Sequence, residues 1–279
     1  MTHLLSNLPQ LWPWLILLGA LGCGWVGLRR AAFVLLAAWI CVAALTGIIS
    51  TMAMIAVILG LGLAAWLRTA SGPLAIAGWS TLVLWSLAMG AHLFPGFNNP
   101  IMLDNVLSGP NSGLFTLHLN ADKPLVFFAL LLAWRPLLEQ DRHRQTVPLL
   151  LSVALAVALF PLAIASGALA IEFSLPDWFM LFALVNLLMT CLTEEAFFRG
   201  FLQKALTARI GMAGGIAAAS LLFGLVHFPA GPAVVVFATL LGAACGLGQW
   251  YGGRMRYAVL IHFGFNLTHL LFFTYPGPA

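Results

Sequence analysis

Three short segments hold most of the side chains in this sequence that could do chemistry. The first is Thr193-Glu194-Glu195-Ala196-Phe197-Phe198-Arg199-Gly200. On a helix, Glu195 and Arg199 are i and i+4, so they share a face and can pair. Glu194 is then turned about 100° from that face. A carboxyl group in apolar surroundings is a general-base candidate near neutral pH, because burial disfavours its charged form. Glu195 with Arg199 therefore reads as structural, and Glu194 as chemical. The competing expectation is that both glutamates sit at a membrane edge, solvated and inert.

The second segment is Phe223-Gly224-Leu225-Val226-His227, in which Phe223 and His227 share one helix face and Gly224 allows close helix approach. Alone, such a histidine is more often a hydrogen-bonded core residue than a catalyst. The third is His262-Phe263-Gly264-Phe265-Asn266-Leu267-Thr268-His269. Here His262, Asn266 and His269 fall at i, i+4 and i+7 on one face. An imidazole and a carboxamide one turn apart are two aimed donors suited to a developing oxyanion. They could equally form a polar clasp between helices, which is the expectation for His269. An ionisable group within a membrane span costs roughly 2.5–3.5 kcal/mol on insertion scales, so such groups are retained where they are paired or used. A carboxylate, two imidazoles and an amide from three helices together point to a catalytic site.

The elements that must position them are membrane spans. Of 279 residues, 62% are hydrophobic and only 7% charged. The mean hydropathy is +1.02. A soluble domain carries about 25% charged residues. The composition excludes a soluble enzyme, a disordered chain and a nucleic-acid-binding protein. Apolar stretches of near-bilayer length occur at 11–28, 31–49, 51–67, 73–94, 148–171, 178–198, 211–228, 231–250 and 257–274, with a short one at 124–134. The expected fold is an all-α polytopic membrane bundle of about 8–10 transmembrane helices, its chemistry in the C-terminal helices.

The net charge is +4, and the basic residues read as topology markers. With the N-terminus outside and every stretch crossing once, the inside loops hold Arg29, Arg30, Arg68, Arg135, Arg142, Arg144, Arg199, Lys204, Arg209, Arg254 and Arg256, which is 11 of the 12 basic residues. Only Lys123 falls outside, with Asp104, Asp122, Glu172 and Asp177. That sorting supports ten crossings with both termini outside. The first stretch is followed, not preceded, by basic residues, which favours a retained span. The run EQDRHRQ divides an N-terminal membrane module, 1–146, from a catalytic one, 147–279. Residues 95–123 form a turn-rich loop read as an external cap. Cys23, Cys41, Cys191 and Cys245 show no metal-ligand spacing and read as small buried hydrophobes. One difficulty is depth. Glu194 and His227 lie 17 and 16 residues either side of Gly211, so a hairpin there would bring them level, whereas His262, six residues past Arg256, would need a tilted or re-entrant helix.

EEAFFR, FGLVH and HFGFN, in that order, closely resemble the three motifs of the CAAX protease and bacteriocin-processing family of glutamic intramembrane endopeptidases, over roughly residues 178–275. The resemblance implies that Glu194 and His227 activate a water, that His262 and Asn266 stabilise the oxyanion, and that Glu195, Arg199 and Phe223 support the site. It implies no metal and no other cofactor. The implied partners are the lipid bilayer and a peptide or protein substrate at the membrane, with no nucleic acid. The implied location is a cell membrane of prokaryotic type. The rival readings are a zinc protease using Glu194, His227 and His262, though no HExxH-like pair is present, and a transporter or non-catalytic scaffold, though no internal repeat is visible.

Overall fold

The computed structural model describes residues 2–141 and 143–279; Arg142, counted above among the loop cations, lies outside the described residues. Helices dominate because lipid leaves backbone groups no partner but one another. In chain order they are α1 (Thr2–Trp25), α2 (Arg29–Leu45), α3 (Thr51–Leu67), α4 (Gly72–Gly90), α5 (Leu125–Ala133) and α6 (Thr146–Ala165), followed by α7 (Phe179–Leu225), α8 (Pro232–Gly252) and α9 (Met255–Phe272). Among the described residues, α4, α6, α7 and α8 are long and apolar enough to cross a membrane by length and composition, and α3 is a shorter apolar helix. The protein is an all-α integral membrane bundle.

The chain forms two compact units. One comprises residues 1–102, 117–138 and 188–193; the other comprises 103–116, 139–187 and 194–279. In the first unit α5 occupies the stretch read as a short span. Its nine residues rise only about 14 Å, half the roughly 30 Å of a hydrocarbon core. All but one of them are buried within the protein. Its apolarity therefore reflects a protein interior on all sides, not a crossing. The loop at 95–123 is more ordered than its turn-rich composition suggests, with strands β1 (Ile101–Val106) and β2 (Phe115–His118) forming a two-stranded sheet. The cysteine expectation also needs correction. Cys191 and Cys245 are buried, but Cys41 is exposed on α2 and Cys23 is half-buried.

In the second unit the decisive element is α7. It reverses at Gly211, whose φ of 76° and ψ of 173° leave the helical region for one that suits glycine. The returning limb packs back on the first. A β-carbon on Gly215 would overlap Thr207, and the rings of Phe198 and Phe223 meet edge to face at 5.1 Å. Both pairs sum to 421–422 in residue number, so the antiparallel register sets position 194 against position 227. Two π-helical stretches, Asn186–Cys191 and Ala196–Gln203, flank the single α-turn Leu192–Glu195. Such wide turns cluster at functional sites.

Candidate active site

The site is built on α7 and α9. Lys204 pairs with Asp141 at 2.8 Å, and the Asp141 backbone N–H bonds the Gly253 carbonyl at 2.9 Å. Lys204 therefore lies level with the turn between α8 and α9, and the Gly211 hairpin projects beyond it. Counted from that level, Glu195 is nine residues back along α7 (204 − 195) and His262 nine residues up α9 (262 − 253). Both stand about 13 Å from it. This removes the depth difficulty, and α9 reaches the site without a re-entrant helix.

Glu195 and Arg199 pair at 2.9 Å, both fully buried. The Glu195 carboxylate also accepts from His262 Nδ1 at 2.8 Å. The chain Arg199–Glu195–His262 is thus a continuous buried unit, and Glu195 is the orienter of the imidazole as well as the partner of the arginine. On the far side of the ring, His262 Nε2 lies 3.9 Å from Glu194 Oε2. The two adjacent glutamates, about 100° apart on the helix, reach opposite nitrogens of one imidazole. The side chain of Glu195 is 0% exposed and that of Glu194 14%.

Phe223 lies at the centre of the cluster. The Arg199 guanidinium sits over its ring at 4.3 Å, a cation–π contact. Among the described residues Arg199 Nε and Nη2 have no hydrogen-bond partner, so the ring face supplies part of their compensation. The same ring meets His227 edge-on at 4.8 Å and His262 at 5.6 Å. His227 lies just past the last residue of α7 and contacts the carbonyl of Phe223 through Nδ1 at 2.7 Å. A carbonyl only accepts, so Nδ1 carries the hydrogen and the neutral ring presents a lone pair at Nε2. Asn266 donates from Nδ2 to the side-chain oxygen of Asn186 at 3.2 Å.

His269, on the same face of α9, does not join the cluster. Its Nε2 donates to the Thr274 carbonyl at 3.1 Å, and its ring meets Tyr275 at 4.9 Å, so it ties down the C-terminal tail. Among the described residues no group of three His, Cys, Asp or Glu side chains converges as a metal site.

Three buried or bonded amides escaped the sequence reading. Asn186 holds Asn266, while Gln203 donates to the Gly246 carbonyl and to Gln249 Oε1, both at 3.0 Å. Asn186 and Gln249 lie within apolar stretches, whereas Gln203 lies between two of them, beside Lys204. Extending the search from charged residues and histidines to amides in and between those stretches would have found them.

Apolar helices enclosing an interior polar cluster of this kind define an integral membrane protein. Residues 176–268 match the family model described as Type II CAAX prenyl endopeptidase Rce1-like. That segment contains EEAFFR, FGLVH and HFGFN, and the family is the one the motifs resemble. Over that third of the chain the sequence is similar to endopeptidases of the CAAX type. No curated protein and no solved structure matches the chain.

Proposed function

We propose that the chain is a glutamic intramembrane endopeptidase that hydrolyses a peptide bond in a membrane-associated or lipid-modified protein. Glu194, with His227, takes a proton from water, and the hydroxide attacks the carbonyl carbon. The carbonyl oxygen becomes an oxyanion held by His262 and Asn266. Collapse breaks the C–N bond, and the proton passes to the leaving nitrogen. With Nδ1–H held by Glu195, His262 donates from Nε2 as the imidazolium. One amide hydrogen of Asn266 goes to Asn186, which orients the carboxamide. Glu195, Arg199 and Phe223 position these groups without touching substrate. The reading takes no metal and no other cofactor.

The observation that carries this reading is the single imidazole of His262 set between Glu195 on Nδ1 and Glu194 near Nε2. In this reading the protein lies in the cell membrane of a prokaryote. The end of the second unit bearing Arg144, Lys204, Arg254 and Arg256 faces the cytoplasm.

The test compares membranes of cells carrying the native chain with those carrying Glu194→Gln, by proteomics of precursor accumulation. Uncleaved membrane-associated precursors should accumulate only with the variant, and unchanged processing would sink the proposal. Processing lost to a chelator and restored by zinc would replace it with a zinc-dependent protease.

A further inference from the structure

A second site lies on the outer face of the same unit. Two adjoining hollows, about 340 and 430 Å³, run between α6 and α9 and share Val157, Phe160 and Thr268. Together they extend along α6 from Leu149 to Pro161, about 18 Å at the helical rise. One leaflet of a roughly 30 Å hydrocarbon core is about 15 Å deep. Phe160 forms the floor, stacked on Phe265 at 4.5 Å and on Phe273 at 4.6 Å. The groove lies on a different side of α9 from His262 and Asn266.

One end of this groove is charged. Tyr257 lines it there. Its hydroxyl receives the Arg256 guanidinium at 3.4 Å, and Arg256 also lies 5.2 Å from the ring centroid. Arg144, two residues before α6, lies close enough to interact with the same hydroxyl. Neighbouring charges are satisfied otherwise, Lys204 by Asp141 and Arg254 by Gln140. Among the described residues Arg144 and Arg256 instead converge on one phenol, which leaves two positive charges side by side at the mouth of an apolar groove one leaflet deep. A guanidinium pair fits a phosphodiester through bidentate hydrogen bonds.

We propose that this face binds an anionic phospholipid, with an acyl chain along the α6–α9 groove and its phosphate between Arg144 and Arg256. A zwitterionic lipid would bring its ammonium against two arginines. A bare isoprenoid or sterol would fill the groove and leave the arginines unused. Basic clusters beside membrane helices attract anionic headgroups in proportion to their number.

The test is native mass spectrometry of the full chain in detergent, with phosphatidylglycerol and phosphatidylcholine of identical acyl chains supplied in equal amounts. Wild type should retain phosphatidylglycerol with roughly thirty-fold preference, the expectation for two juxtamembrane arginines. The preference should fall with salt. In Arg144→Gln/Arg256→Gln it should drop to near one, with phosphatidylcholine binding unchanged. Val153→Trp/Val157→Trp, which fills the groove, should lose both lipids; Val157→Phe makes the same test in a milder form if the double variant does not fold. Equal retention of the two lipids by wild type would overturn the proposal. So would an unchanged preference without the arginines, or full lipid binding with the groove filled. Catalysis plays no part in this measurement, so its failure leaves the peptidase reading intact.

Discussion

Glu194 and Glu195 are adjacent and chemically identical, yet their removal should have opposite consequences. Glu195→Ala takes the acceptor from both Arg199 and His262, leaving a fully buried guanidinium opposite an apolar methyl group. Breaking a buried ion pair from one side costs about 3–5 kcal/mol, a large part of the usual 5–15 kcal/mol of total stability. At about 2–4 °C per kcal/mol for a domain of this size, the melting temperature should fall by roughly 10 °C. Glu194→Gln keeps shape and hydrogen-bonding capacity at a side chain that is 14% exposed. It should move the melting temperature by no more than about 2 °C, the effect of less than 1 kcal/mol. The assay pairs thermal unfolding of the detergent-purified chain with precursor cleavage in membranes. A third variant, Glu195→Leu/Arg199→Met, removes the whole pair and should recover much of the stability lost by Glu195→Ala, because no buried guanidinium is left unpaired. Wild-type melting with no cleavage in Glu195→Ala, together with an unstable Glu194→Gln, would show that the two roles are reversed.

Three further predictions follow from the packing around the site. Asn186→Ala removes the acceptor that holds the Asn266 amide at 3.2 Å. Turnover should drop roughly tenfold, part of the hundredfold or more that losing an oxyanion donor costs, with KM nearly unchanged; a rise in KM at constant turnover would place Asn186 in substrate binding instead. Gly242→Ala would set a β-carbon 2.9 Å from Arg199 Nη2 and 3.2 Å from the Ser220 backbone. It should cost about 1–3 kcal/mol, seen as a lower melting temperature together with reduced cleavage, and a neutral outcome would mean that α8 packs less tightly there. Far from the site, burial tends to raise the pKa of Glu172, but bonds from the Ser112 hydroxyl and from the backbone and side chain of Asn111 outweigh it and hold the carboxyl below its ordinary 4.5. A carboxyl with a lowered folded-state pKa stabilises the fold above its unfolded value, and that contribution fades as pH falls through the lowered value. Glu172→Gln should therefore be less stable than wild type at neutral pH, with the difference shrinking as pH falls from about 4.5 and vanishing below the lowered folded-state value; a constant difference across that range would rule the ionised form out as the source.

What was legible in the sequence is what local periodicity encodes. The Glu195–Arg199 pair follows from i, i+4 spacing, the membrane setting from the scarcity of charge, and the reversal near Gly211 from counting residues to either side. Contacts between residues far apart in the chain were not legible. His262 meets Glu195 across 67 positions and Asn266 meets Asn186 across 80, and no periodicity announces either. The short α5 misled for a physical reason: a helix buried on every side and a helix facing lipid on every side have the same composition. His269 misled for the converse reason. Its face on α9 was correct, but the chain turns back after Phe272, and its own tail reaches the imidazole first.

The division of labour between the glutamates rests on proton traffic as well as geometry. A general base must gain a proton in each turnover and then lose it. Glu195 is enclosed, its charge shared by Arg199 and His262, and protonating it would strand the guanidinium and release the imidazole together. That carboxylate can hold the site only by staying charged. Glu194 lies at the edge of the same cluster with part of its side chain accessible, and neutralising it leaves the Arg199–Glu195–His262 unit intact. It can therefore change charge during a reaction cycle without dismantling its surroundings. In the proposed reaction the partly open carboxylate is the one fitted to cycle and the buried one is fitted to hold, so the proposed roles follow from what each position lets a proton do.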